Sequence, residues 1–215
     1  MKPQALLFDC DGVLLNTLPA AYDADRQVIP KFGGRIPCIE VYRRALGENM
    51  LNGGSWDALY KGFGVTDPES AEKLFYELFH APNPLVIPGA IETLEGAKQM
   101  GIPISVVSHD RSLDDVVAKL TKPGLIAHFD SESVYCAEGS KTLPILAECE
   151  RLRVDPRNVF FIGDTVKDVK DAKAAGVKVI AVTGQYSFNR LEELQRAGPT
   201  YIINNLRALL WKMGN

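Results

Sequence analysis

Ala5-Leu6-Leu7-Phe8 runs directly into Asp9-Cys10-Asp11-Gly12, and this join decides how the chain is read. Four apolar residues in a row mark a buried strand. Side chains alternate along a strand, so residues two apart face the same way. At the strand's end Asp9 and Asp11 therefore point into one site and Cys10 points away. Two carboxylates side by side are costly unless a cation neutralises them or one keeps its proton. Either outcome has a chemical use: a site for a hard metal ion, or a nucleophile beside an acid. Gly12 lets the backbone turn where a residue with a Cβ would be strained. Taken alone, the stretch also fits a turn with helix-capping aspartates.

The pattern returns far along the chain. Val159-Phe160-Phe161-Ile162 reads as a second buried strand, followed by Gly163-Asp164-Thr165-Val166-Lys167-Asp168 and a helical run to Gly176. In open α/β sheets, ligands bind outside the carboxyl ends of the strands. If the two strands are neighbours, Asp9, Asp11 and Asp164 converge there. Such an oxygen-rich cluster suits Mg²⁺, which takes a few carboxylates together with water and phosphate.

Working outward, apolar runs predict strands at 5–8, 104–107, 159–162 and 177–182, with a short late strand at 201–203. Helical periodicity fills most of the gaps: 91–100, 112–120 with Ser112 as N-cap, 142–152, 191–197 and 206–212. This alternation predicts an α/β fold, a Rossmann-like parallel sheet with right-handed crossovers. The stretch 15–85 is different. It carries no convincing strand and reads as helices at 17–32, 39–46, 55–63 and 68–79, with Thr66-Asp67-Pro68-Glu69 as a capping box. The expected organisation is an α/β core of residues 1–14 and 86–215 and an inserted all-α cap domain of residues 15–85. Hinges fall near 14–19 and 81–88.

With 46% hydrophobic and 24% charged residues, the 215-residue chain has the make-up of a soluble globular protein with a sizeable core. A net charge of -3 supplies no general attraction to nucleic acid or to an anionic membrane. No apolar run is long enough to span a bilayer, and the first residues show no signal-peptide pattern. Cys10, Cys38, Cys136 and Cys149 are widely spaced, which favours free thiols over a disulfide frame or zinc site. The expectation is a cytoplasmic protein with neither nucleic-acid nor membrane partners.

Four segments together carry a family likeness: Asp9-Cys10-Asp11-Gly12 with the run to Thr17, Ile104-Ser105-Val106-Val107-Ser108, Lys141, and Gly163-Asp164 through Asp168. In this order and spacing the chain resembles the haloacid dehalogenase superfamily. The likeness is to the branch with a helical cap, which includes phosphoglycolate phosphatases and β-phosphoglucomutases. The resemblance implies that Asp9 is a nucleophile forming an aspartyl-phosphate and that Asp11 is the general acid and then base. It implies Mg²⁺ held by Asp9, Asp164 and the backbone carbonyl of Asp11. Asp168 would stand behind these ligands, orienting Lys141 or metal-bound water. Ser108 and Lys141 would hold the phosphoryl group, and His109 would reach the substrate. Asp171 reads as solvent-exposed. In the cap, Arg43, Arg44 and Lys61 are candidate anion contacts, Arg44 foremost, and Asn49, Asn52 and Trp56 candidate polar or stacking contacts.

The chain departs from the family pattern at Asn16, where relatives commonly carry an acid, and at Thr142, where the lysine is commonly followed by proline. The implied activity is a Mg²⁺-dependent phosphatase acting on a small phosphorylated metabolite such as phosphoglycolate or a sugar phosphate, as a monomer or homodimer. A β-phosphoglucomutase-type phosphomutase and a catalytically idle binding module are the alternatives.

Overall fold

The computed structural model describes residues 3–51, 55–80, 82–137 and 139–209. Its centre is a six-stranded, all-parallel sheet. The strands, in chain order, are β1 (Ala5–Phe8), β4 (Ile104–Ser108), β5 (Val134–Cys136), β6 (Val159–Gly163), β7 (Lys178–Val182) and β8 (Tyr201–Ile203), and their spatial order is β5-β4-β1-β6-β7-β8. The strand carrying Asp9 therefore lies in the middle. On one side Leu6 pairs with Ile104, and on the other with Phe160.

Alternation along the strands divides the core into two layers, as the pleat requires. Leu6, Phe8, Val106 and Ile162 join an apolar cluster on one face. Helices α5 (Ala90–Gln99) and α6 (Leu113–Thr121) cover that face. Ala5, Leu7, Val107 and Phe161 join the cluster on the other. This second face lies under α7 (Thr142–Leu152), α8 (Val166–Ala174) and α9 (Leu191–Ala197). Being covered on both faces, the central strands are apolar throughout rather than alternating. Ser112 caps α6 by accepting from the Asp115 N–H.

Between β1 and β4 the chain forms α1 (Leu18–Lys31), α2 (Ile39–Leu51), α3 (Trp56–Gly62) and α4 (Pro68–Phe79). These four helices have an apolar cluster of their own, built around Val28, Tyr42, Tyr60 and Phe75. A buried carboxylate stitches it together: Asp25 on α1 accepts from Tyr42 on α2 (2.6 Å) and Tyr60 on α3 (2.8 Å). Burial outweighs both hydrogen bonds and pushes Asp25 up to about 6.

Three expectations are corrected. The stretch read as strand-free begins and ends in strands. β2 (Leu15–Asn16) and β3 (Leu85–Val86) pair antiparallel, Leu15 with Val86 and Asn16 with Leu85. Two residues each are too few to show a period. The cap of α4 is Asp67, which accepts from the Ser70 N–H, whereas Thr66 donates to the Phe32 carbonyl. β5 is an addition, three residues long. The closing helix is helical at residues 207–209, and the rest of its expected span lies outside the described residues.

Candidate active site

Asp9 follows the last residue of β1, and its N–H donates to the Ile162 carbonyl of β6 (2.8 Å). Lys141, at the start of α7, reaches it from the side. Its Nζ lies 2.8 Å from Asp9 Oδ1 and 2.7 Å from Asp168 Oδ1. The Cys10 N–H donates to the same Asp9 oxygen (2.7 Å). Asp168 has two duties. Its Oδ2 accepts from the Thr165 N–H and hydroxyl, closing a capping box on α8, while its Oδ1 holds Lys141. Asp164 stands at the end of β6. Its Oδ2 accepts from the Phe188 N–H (2.6 Å), and its Oδ1 is buried without a partner. Gly12 lies against it. The backbone there has φ +74, and a Cβ would stand 2.4 Å from Asp164 Oδ2. The two acidic motifs are thus keyed into one another.

Asp9, Asp164 and Asp168 are all buried, and one oxygen of each lies within 4.8 Å of the others. Burial pushes Asp9 up to about 7, against the pull of Lys141. Burial, then Asp168 and Asp9, raise Asp164 well above the ordinary carboxylate range. Burial works against the Lys141 ammonium, but Asp168 and Asp9 more than offset it and keep it charged. Three carboxylates thus share one ammonium, and the cluster is short of positive charge. Both Asp168 oxygens are engaged, so the open coordinating capacity belongs to Asp164 Oδ1 and Asp9. An all-oxygen donor set with a charge deficit and an orphaned carboxylate oxygen fits a hard divalent cation such as Mg²⁺.

Asp11 faces a second buried lysine. Lys119 Nζ lies 2.6 Å from Asp11 Oδ2 and 2.9 Å from Asp110 Oδ2. Burial opposes the charge on Lys119, but Asp11, Cys10 and Asp110 raise its pKa well above the ordinary value. At Asp110 the upward push of burial is outweighed by His80 and Lys119, which take it down to about 2. Sequence reading missed Lys119, although a signal existed. It falls on the apolar stripe of α6 with Val116 and Leu120, at i, i+3, i+4 spacing. A charge there must have a buried partner.

Ser108 is fully buried. Its Oγ sits 3.4 Å from Asp11 Oδ2 and is not on the cavity wall, so it touches Asp11 rather than the space a phosphoryl group would fill. His109 does line the cavity. Burial and then the Lys141 charge lower it to about 4, so near neutral pH it is uncharged. Its Nε2 lies 3.1 Å from the Gly139 carbonyl, which requires that nitrogen to carry the proton.

Asp9, Asp11, Lys141 and Asp164 open onto a cavity of about 400 Å³, within the range of small-ligand sites. Its far wall comes from the helical insertion: Leu46, Trp56, Leu59, Phe75, Tyr76 and Phe79. Asn49 and Trp56 line it, and Asn52 lies outside the described residues. Arg44 does not line it. Its side chain is half exposed, 3.9 Å from Glu48 on the same helix. Lys61 likewise faces out, paired with Asp57, and Arg43 is absent from the wall. Asp171 is buried rather than exposed, and accepts from the Lys141 N–H, the Ser140 hydroxyl and Lys167 Nζ. It anchors the loop that delivers Lys141.

Residues 6–182 match the family model described as haloacid dehalogenase-like hydrolase. The chain belongs to this family. Among curated relatives it is 28% identical to phosphoglycolate phosphatase 1 of Pseudomonas aeruginosa, over 97% of this chain and 79% of that protein. It is also 28% identical to the phosphoglycolate phosphatase of Thiobacillus denitrificans, over 87% of this chain and 85% of the relative. Among solved structures, a haloacid dehalogenase-like hydrolase from Streptococcus pneumoniae superposes with a TM-score of 0.83 at 18% identity, covering 98% of each chain. A predicted phosphoglycolate phosphatase from Haemophilus somnus gives 0.80 at 20% identity, covering 100% of this chain and 99% of that one. These superpositions are a likeness of fold.

Proposed function

We propose that this haloacid dehalogenase-like hydrolase is a phosphatase that hydrolyses phosphate monoesters of small metabolites through an aspartyl-phosphate on Asp9, with Mg²⁺ as cofactor. The observation that carries this reading is the buried Asp9 carboxylate on the cavity floor, held by Lys141 and flanked by an Asp164 oxygen without a partner. The names of the curated relatives agree with it. Asp9 and Asp164 would hold the ion, and when bound it would keep Asp9 ionised and offset the charge of the transferring phosphoryl group.

The chain's own groups then divide the work. An Asp9 oxygen attacks phosphorus, and the ester P–O bond breaks as Asp11 gives its proton to the leaving oxygen. Water then attacks the phosphorus of the acyl-phosphate. Asp11 takes back a proton, and inorganic phosphate leaves with Asp9 restored. Lys141 fixes Asp9 and neutralises phosphoryl oxygens, and Lys119 orients Asp11. Residues 15–85 act as a cap domain over a core of residues 1–14 and 86–215, excluding bulk water while the ester bond breaks. The free thiols of all four cysteines suit a reducing compartment such as the cytoplasm. Among the described residues no helix is long and apolar enough to cross a membrane.

The test is release of inorganic phosphate from a panel of monoesters with Mg²⁺. Asp9→Asn and excess EDTA should each abolish it while the protein stays folded. Near-normal turnover in a homogeneous Asp9→Asn sample would overturn the mechanism.

A further inference from the structure

The cavity has two halves of opposite chemistry. Among the described residues, the three lysines on its wall, Lys119, Lys141 and Lys167, come from the strand-end side. Each lies within 2.9 Å of a carboxylate: Lys119 with Asp11 and Asp110, Lys141 with Asp9 and Asp168, Lys167 with Asp171. The opposite wall, from the helical insertion, is mostly apolar and aromatic, and among the described residues none that lines it is a lysine, arginine or histidine. Arg111 lies over the Tyr76 ring at 4.4 Å and 3.4 Å from Asp115, and is not on the wall.

A phosphate ester bound with its phosphoryl group at Asp9 must lay its alcohol part against this wall. A carboxylate or second phosphate there would lose water and gain no cation, which is strongly unfavourable. A ring would meet faces and edges that suit it. Trp56 packs on Phe75 at 4.3 Å between centroids, and Phe75 on Phe79 at 5.2 Å, so the aromatic surface is held in place and ready for a further ring. The same wall offers neutral hydrogen-bonding points. The Tyr76 hydroxyl accepts from Trp56 Nε1 (2.8 Å) and keeps a proton to donate. Thr17 lines the cavity, and its hydroxyl is buried without a partner.

We propose that the alcohol part of the substrate is an uncharged, ring-bearing group that packs against Trp56, Phe75, Tyr76 and Phe79, and is not an acid such as glycolate. This narrows the phosphatase reading above and rests on it for the position of the phosphoryl group.

The test compares benzyl phosphate with phosphoglycolate as substrates, and benzylphosphonate with phosphonoacetate as non-hydrolysable ligands, all with Mg²⁺. Burying one ring should favour benzyl phosphate in kcat/KM by roughly thirtyfold or more, and calorimetry should rank the phosphonates the same way. If phosphoglycolate or phosphonoacetate equals or exceeds its benzyl counterpart, the inference is wrong and the phosphatase reading stands. If neither these esters nor any other releases phosphate, the phosphatase reading falls, and the ranking of the phosphonates still decides this inference. Met50, a partly exposed residue on the apolar wall, provides the converse. Met50→Lys should move the ratio toward the acid by about tenfold, and an unmoved ratio would remove the wall as the selector.

Discussion

Replacing Asp25 by asparagine should change how the stability of this protein depends on pH. Asp25 is fully buried among the helices of the insertion, and its pKa rises from the ordinary 3.8 to about 6. The folded state therefore holds this proton more tightly than the unfolded chain does. Asp25 favours folding most when pH is below the ordinary carboxylate value, and that advantage is lost as pH climbs through about 6. The whole shift corresponds to about 3 kcal/mol, and the part lying between about pH 5 and pH 7.5 to about 1.4 kcal/mol. An amide cannot ionise, yet it can still accept from one tyrosine hydroxyl and donate to the other. Urea unfolding of wild type and Asp25→Asn, followed by tryptophan fluorescence, gives the comparison directly. Trp56 reports from within the same helical cluster. Subtracting the variant removes the other carboxylates, such as Asp110, whose lowered pKa runs the opposite way. On going from about pH 7.5 to about pH 5, wild type should gain about 1.4 kcal/mol over Asp25→Asn, or about 0.5–1 M in urea midpoint. A difference independent of pH, or one of opposite sign, would refute the claim that burial governs this carboxylate.

Two further outcomes concern the site. Lys141→Met leaves Asp9 and Asp168 buried without their shared ammonium, and should cost about 3–5 kcal/mol in EDTA; a loss below about 1 kcal/mol would show the pair to be solvated or protonated in the native protein. Gly12→Ala must relieve both a left-handed backbone and a 2.4 Å approach to Asp164, so it should weaken Mg²⁺ activation of phosphate release far more than it lowers the melting temperature. An unchanged Mg²⁺ dependence would disprove the keyed contact.

Long elements were legible in the sequence because burial on both faces leaves an unbroken apolar run and burial on one face leaves a period. α4 and α7 occupy the spans their patterns predict, 68–79 and 142–152, and β1 and β6 lie side by side, as the convergence of Asp9 with Asp164 requires. What escaped has a physical reason in each case. β2, β3 and β5 are too short to alternate. Asp171 lies on α8 among several lysines, and its partner, the N–H of Lys141, is remote in sequence. The rotation of α2 about its axis is set by tertiary packing. That packing turns Leu46, Asn49 and Met50 toward the cavity and leaves Arg44 beside Glu48. Lys119 was visible as a charge in an apolar stripe, but its partners Asp11 and Asp110 come together only in the fold.

The ribbon of β2 and β3 makes the chain leave the six-stranded sheet and return to it at a single place, with Leu15 beside Val86 and Asn16 beside Leu85. The free energy of closing a loop grows only slowly with its length, so the strands bearing Asp9 and Asp164 are nearly indifferent to how many residues lie beyond that ribbon. In engineering terms it is a splice point. A different set of helices joined to the same two short strands would present another wall to the alcohol part of an ester, while the register that brings Asp9 to Asp164 is kept.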